Sequence, residues 1–134
     1  AGNMRGNCHM STFTAKRKPI TPEQVQAERR RRLAVGFDYD FGDARGVHRI
    51  ATTEKDMEGW AEVTQWATAM ILKGTSDETQ LISTETGSTT VTALEWQEVL
   101  AAASTFRQPI WQASFVLQAM DPTPQNYADG SHWP

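Results

Sequence analysis

One cysteine, Cys8, is all the thiol chemistry this chain has. That excludes an internal disulfide framework and fits a reducing compartment. No apolar run reaches the roughly 18 residues that a membrane span requires, so no membrane partner is expected. The first residues lack an apolar h-region, so no signal peptide is expected, and Ala1 is what removal of an initiator Met would leave. There is no G-x-S-x-G, no P-loop and no G-x-G-x-x-G, the spacings that expose a serine nucleophile or cradle phosphates on backbone amides. His9, His48 and His132 have no C-x-x-C or H-x-x-x-H partner, so no metal site is legible. Cys8 sits beside His9 but has no separate base near it in sequence. These absences exclude the common enzyme classes, and neither catalytic residues nor a cofactor is expected.

What is present suits one packed domain. The chain has 134 residues, 39% of them hydrophobic and 22% charged, with five Trp and five Phe as bulky core material. That length holds a single domain. The net charge of −3 conceals a split. Residues 1–32 carry eight Lys or Arg against two acids, a balance of +6. Residues 33–134 carry five against fourteen, a balance of −9. A basic segment joined to an acidic body suggests an arm that docks on something acidic, either nucleic acid or the body of a neighbouring copy.

Local signals divide the chain into elements. Residues 1–20 lack periodicity and read as a basic N-terminal arm, with Lys16, Arg17 and Lys18 clustered before Pro19. "TPEQ" is a helix start: Thr21 suits the cap, Pro22 the first position and Gln24 the capping-box return. This helix should run to about Val35, with Gly36 just past its end. Phe37, Tyr39 and Phe41 alternate with Asp38 and Asp40, the period of a half-buried strand. "GDARG" is a turn, and Val47 to Ala51 return as a second strand. From Thr53 to Lys73, acids lead and Lys73 closes, with Met57, Trp60, Val63 or Thr64, Ala67, Met70 and Ile71 on one helical face. "TQLISTETGSTTV" reads as a second hairpin, or a strand with an irregular return. "TALE" is another capping box, at Thr92 and Glu95. Trp96, Val99, Ala103, Phe106, Ile110, Ala113, Leu117 and Met120 then form a heptad-like seam, which Pro109 should kink or break. The prediction is a small α+β domain over residues 21–121, ordered helix–hairpin–helix–hairpin–long helix. A polar, Pro-containing C-terminal arm of residues 122–134 follows.

Three stretches carry candidate sites. "GFDYDFGDARG" resembles a calcium loop in composition, but counted from Asp38 the ligand positions 5 and 12 fall on Gly42 and Arg49. It is better read as a hairpin with an acidic outer face. "ERRRRL" places Arg29, Arg30, Arg31 and Arg32 around the whole circumference of a helix, so they cannot share one groove. They suit ion pairing or phosphate contact. The seam has few charged flanks, which favours a core face over a coiled coil, and Trp111 and Phe115 fall off it. Tyr127 and Trp133 suit apolar anchoring to a partner.

In this order of elements, "ERRRRLAVGFDYDF…VHRIATTEKDMEGWAEVTQWA…VTALEWQEVLAAASTFRQPIWQASFVLQAM" resembles a family of phage and prophage domains of unknown function. Such domains have a basic first helix, a G-F-x-Y hairpin leading into a T-x-x-D helix start, a threonine-rich strand pair and a long alanine-rich last helix. Here those features lie at Arg29 to Phe41, Ile50 to Asp56 and Val91 to Met120, within residues 22–120. Pro109 departs from the pattern. The resemblance implies a virion component of the tail, baseplate or tail fibre, made in the host cytoplasm, with no catalytic site to carry over. The expected function is therefore structural and non-enzymatic. Its expected contacts are with copies of itself or other tail proteins, through Lys16, Arg17, Lys18, Arg29 to Arg32, Tyr127 and Trp133. A small nucleic-acid-binding or regulatory protein and a tail-fibre assembly chaperone are the alternatives.

Overall fold

A computed structural model describes residues 17–134. Lys16, Cys8 and His9 lie outside the described residues. Helix α1 spans Pro22–Ala34, strands β1 and β2 are Phe37–Asp40 and Val47–Ile50, and α2 is Glu54–Lys73. Strands β3 and β4 are Thr79–Thr84 and Gly87–Thr92, α3 is Ala93–Ala119, and a 3₁₀ turn covers Gly130–His132. The α+β class and the order of elements are those predicted. Each hairpin is its own two-stranded antiparallel sheet, with Phe37 opposite Ile50 in one and Thr79 opposite Thr92 in the other.

Helices α1, α2 and α3 each begin with a complete capping box, at Thr21/Gln24, Thr53/Asp56 and Thr92/Glu95. Each box satisfies two amides that a helix start otherwise leaves open. Gly74 ends α2 in the left-handed conformation, at φ 85°. The second hairpin is regular on both sides of its turn, which settles the choice left open by its composition.

Helix α3 is the spine, and two apolar clusters sit on its two halves. On the first half, Trp96 and Val99 pack with Ala67, Ile82 and Val91, flanked by Trp60, Val63, Tyr39 and Phe41. Trp96 meets Trp60 edge to face at 5.1 Å, and its indole N–H donates to Thr64 Oγ1 at 3.0 Å. On the second half, Ile110 and Leu117 pack with Val25 and Leu33 of α1 and with Trp133. Two details differ from the predicted seam. Helix α3 continues through Pro109 without a break. Ser114 rather than Ala113 takes the buried position between Ile110 and Leu117, and Met120 is exposed. The 3.6-residue helix drifts off a strict heptad, and α1 meets it on the drifted face.

Residues 122–134 are not an extended arm. They fold back so that Trp133, 6% exposed, completes the second cluster. Its indole N–H donates to Tyr127 O at 2.8 Å.

Arg45, in the turn after β1, ties the first hairpin to the start of α3. Its guanidinium donates to both carboxylate oxygens of Glu95, at 3.0 and 2.6 Å, to Asp43 at 2.7 Å and to Thr90 O at 2.9 Å. The Arg45 hydrogen bonds lower the Asp43 pKa from an ordinary 3.8 to about 2 and also depress that of Glu95. Depressed carboxylate values mean stability that is present above the unfolded-state value and lost as pH falls through the folded one. An NMR titration should therefore place the Asp43 midpoint near 2. In Arg45→Met it should rise toward the aspartate reference of about 3.9. An unchanged midpoint in the variant would remove Arg45 as the cause.

Candidate functional site

The acidic run of the first hairpin is structural. Asp38 pairs with Arg49 at 3.1 Å, and Asp40 accepts the Gly42 amide at 2.8 Å. His48 is buried, with Nδ1 2.7 Å from Thr84 Oγ1, where it holds β2 against the second hairpin. Among the described residues no three His, Cys, Asp or Glu side chains gather as a metal site, and no helix is long and apolar enough to cross a membrane.

The four arginines of α1 have separate fates. Arg31 and Arg32 both bond to Glu28, which lowers the carboxylate's pKa, with the Arg31 hydrogen bond the largest cause. Arg31 stays largely exposed. Arg32 also donates to Ala128 O at 2.9 Å and lies 5.1 Å from the Trp133 ring, so it clamps the C-terminal segment. Arg30 is exposed, with a loose 3.9 Å contact to Glu54. Arg29 turns inward. It lies between Val25 and Leu33 on the buried stripe of α1, four residues from each. Its guanidinium stacks on Trp111 at 3.9 Å and donates to Ser114 Oγ at 3.0 Å.

These placements correct part of the expected partner surface. Arg29, Arg32 and Trp133 serve their own domain, because burial of α1 and the C-terminal segment against α3 uses their side chains internally. Tyr127 is half-buried in the same cluster. Arg17 and Lys18 are exposed at the entry to α1, where Gln125 donates to Lys18 O at 3.1 Å.

A cleft opens beside Arg29. Its volume is about 640 Å³, and α1, the start of α2 and α3 form its walls. Arg29, Arg30, Lys55 and Arg107 supply four cations, while Glu54 is the one carboxylate in the lining. Leu33, Met57 and Trp111 supply apolar wall. Arg107 donates to Thr52 O at 3.1 Å. Burial pushes the pKa of Arg107 down, and burial followed by the nearby Arg30 charge does the same for Arg29. Among the described residues neither guanidinium has a carboxylate within 4.0 Å, and the buried Nε of Arg29 has no hydrogen-bond partner. Two of these cations were not anticipated from sequence. Lys55 and Arg107 are far apart in the chain, and only packing of α2 on α3 brings them together. Arg29 was within reach, since its spacing from Val25 and Leu33 marks the inward face.

A second surface lies on the outer side of α3. Phe115 and Val116 are 56% and 57% exposed, and Met120 follows at 41%. Trp111 touches Phe115, with ring centroids 5.7 Å apart. No protein-family model matches the chain, and no curated protein or solved structure matches it either.

Proposed function

We propose that this protein is a non-enzymatic structural subunit of a bacteriophage virion, in the tail region, that works by contact with further copies of itself. The carrying observation is the uncovered apolar group of Phe115 and Val116 on the outer side of α3, with Met120 just past its end. Large apolar side chains grouped on one helix face mark contact surfaces more often than scattered ones do. Charge favours a second copy as the occupant. Exposed Arg17 and Lys18 lead into α1, whereas the exposed face of α2 carries Glu58 and Glu62. One copy thus offers both signs needed for a repeated contact. The tail location rests on the order of elements that resembles phage domains. Nucleic-acid contact has less support, because the single Glu28 carboxylate pairs with both Arg31 and Arg32, offsetting one of their two charges, and Arg29 is turned inward.

The test is solution mass by light scattering at the highest attainable concentration. The parent chain should be oligomeric, and Phe115→Asp with Val116→Asp should be monomeric with an unchanged circular dichroism spectrum. A parent that stays monomeric, or a variant that keeps the oligomer, overturns the reading.

A further inference from the structure

We propose that the cleft between α1, α2 and α3 binds a small organic oxyanion, a phosphate or carboxylate carried on a flat apolar body. The inference is independent of self-assembly and rests on missing counter-charge. Partly buried cations are costly unless paired, and like charges lining one cleft repel. Arg29, Arg30, Lys55 and Arg107 line this one, and the one acid in the lining, Glu54, is largely exposed: it touches Arg30 at 3.9 Å and acts on Arg29 only from beyond 4.0 Å. Residues 1–16 contain no Asp or Glu, so their side chains cannot supply the charge.

The shape indicates what kind of anion fits. A volume near 640 Å³ is in the range of small-molecule sites, of roughly 300–1,000 Å³. Guanidinium groups match the planar or tetrahedral oxygens of carboxylate and phosphate through paired N–H donors. Arg29 is already oriented by Trp111 and Ser114, and Arg107 by Thr52 O, so binding them costs little side-chain entropy. Met57 and the Trp111 ring give an apolar body something to cover. An inorganic anion alone leaves that wall wet.

Isothermal titration of the full chain at low salt tests this with four probes: inorganic phosphate, 1-naphthyl phosphate, 1-naphthoate and uncharged 1-naphthol. One of the two naphthyl anions should bind at least about tenfold tighter than either inorganic phosphate or naphthol, since charge and apolar contact both contribute. Which of them binds tighter tells phosphate from carboxylate. Arg30→Gln with Lys55→Gln alters two exposed side chains and should keep the fold. It should weaken the better anion by about tenfold, the scale of a charge-assisted hydrogen bond. Arg107→Gln should weaken it further. Absence of binding by both naphthyl anions overturns the proposal. So does naphthol binding as tightly as they do, or affinity unchanged in the folded double variant.

Discussion

Replacing Trp133 with alanine should destabilise the domain by about 3–5 kcal/mol, the range for deleting a buried Trp or Phe. The size follows from its position. Trp133 is the one residue of the last ten that is buried, and it closes a cluster containing Val25, Leu33, Ile110 and Leu117. Without the indole, the bond to Tyr127 O is lost and Arg32 loses its aromatic neighbour. Val25 and Leu117, fully buried in the parent, then face water or a void. Phe115→Ala is the matched comparison. It removes an exposed aromatic from the same end of α3 and should shift stability by no more than about 0.5 kcal/mol. Urea unfolding measures both. Equal, small shifts would mean that residues 122–134 are not part of the cooperative unit.

Gly36→Ala should cost about 3–4 kcal/mol, just above the common range of about 0.5–3 kcal/mol for a single substitution. Two causes add. Gly36 has φ 74°, and a Cβ built there lies 2.2 Å from Ile50 O, 3.1 Å from Ile50 C and 3.2 Å from Ala51 Cα. The first cause alone is worth about 1–2 kcal/mol. The second cannot be relieved by a rotamer change, because all three of these neighbours are backbone atoms. Relief requires α1 to move away from the end of β2, beside the Phe37–Ile50 pair. Gly42→Ala separates the two causes. Its φ is 78°, but nothing lies within 4 Å of the added Cβ. It should show only the conformational cost, of about 1–2 kcal/mol. Hydrogen exchange should report local opening of β1 and β2 in the Gly36 variant and not in the other. Equal losses in the two variants would refute the close-approach argument.

Most of the fold was legible because its signals are local. A capping box depends on residues three apart, a strand on alternation, and a helix end on the glycine just past it. Thr21, Thr92 and Gly36 act where those rules put them. Pro109 did not break α3, although a helix interior ordinarily penalises proline. Helix α3 packs on α1 on one half and α2 on the other, and tertiary packing outweighs one lost amide bond.

The candidate site was less legible. Composition placed four arginines on α1; the four-residue spacing from Val25 and Leu33 marks Arg29 as the inward one, but nothing local says what α3 would set against it. "GDARG" looked like turn material, and "TALE" like a helix cap. That Arg45 of one grips Glu95 of the other, 50 residues on, leaves no trace in either motif.

By itself, then, the sequence determined the element order, the helix starts, the turns and most of the apolar positions. Each follows from backbone sterics and hydrogen bonding within a few residues. Tertiary structure alone decided that Arg29 stacks on Trp111, that Arg32 reaches Ala128 across 96 positions, and that Trp133 turns inward. It also assembled Arg107, Lys55 and Arg30 around one cleft. These contacts join segments with no common period, and which charges end up paired depends on which helix faces meet.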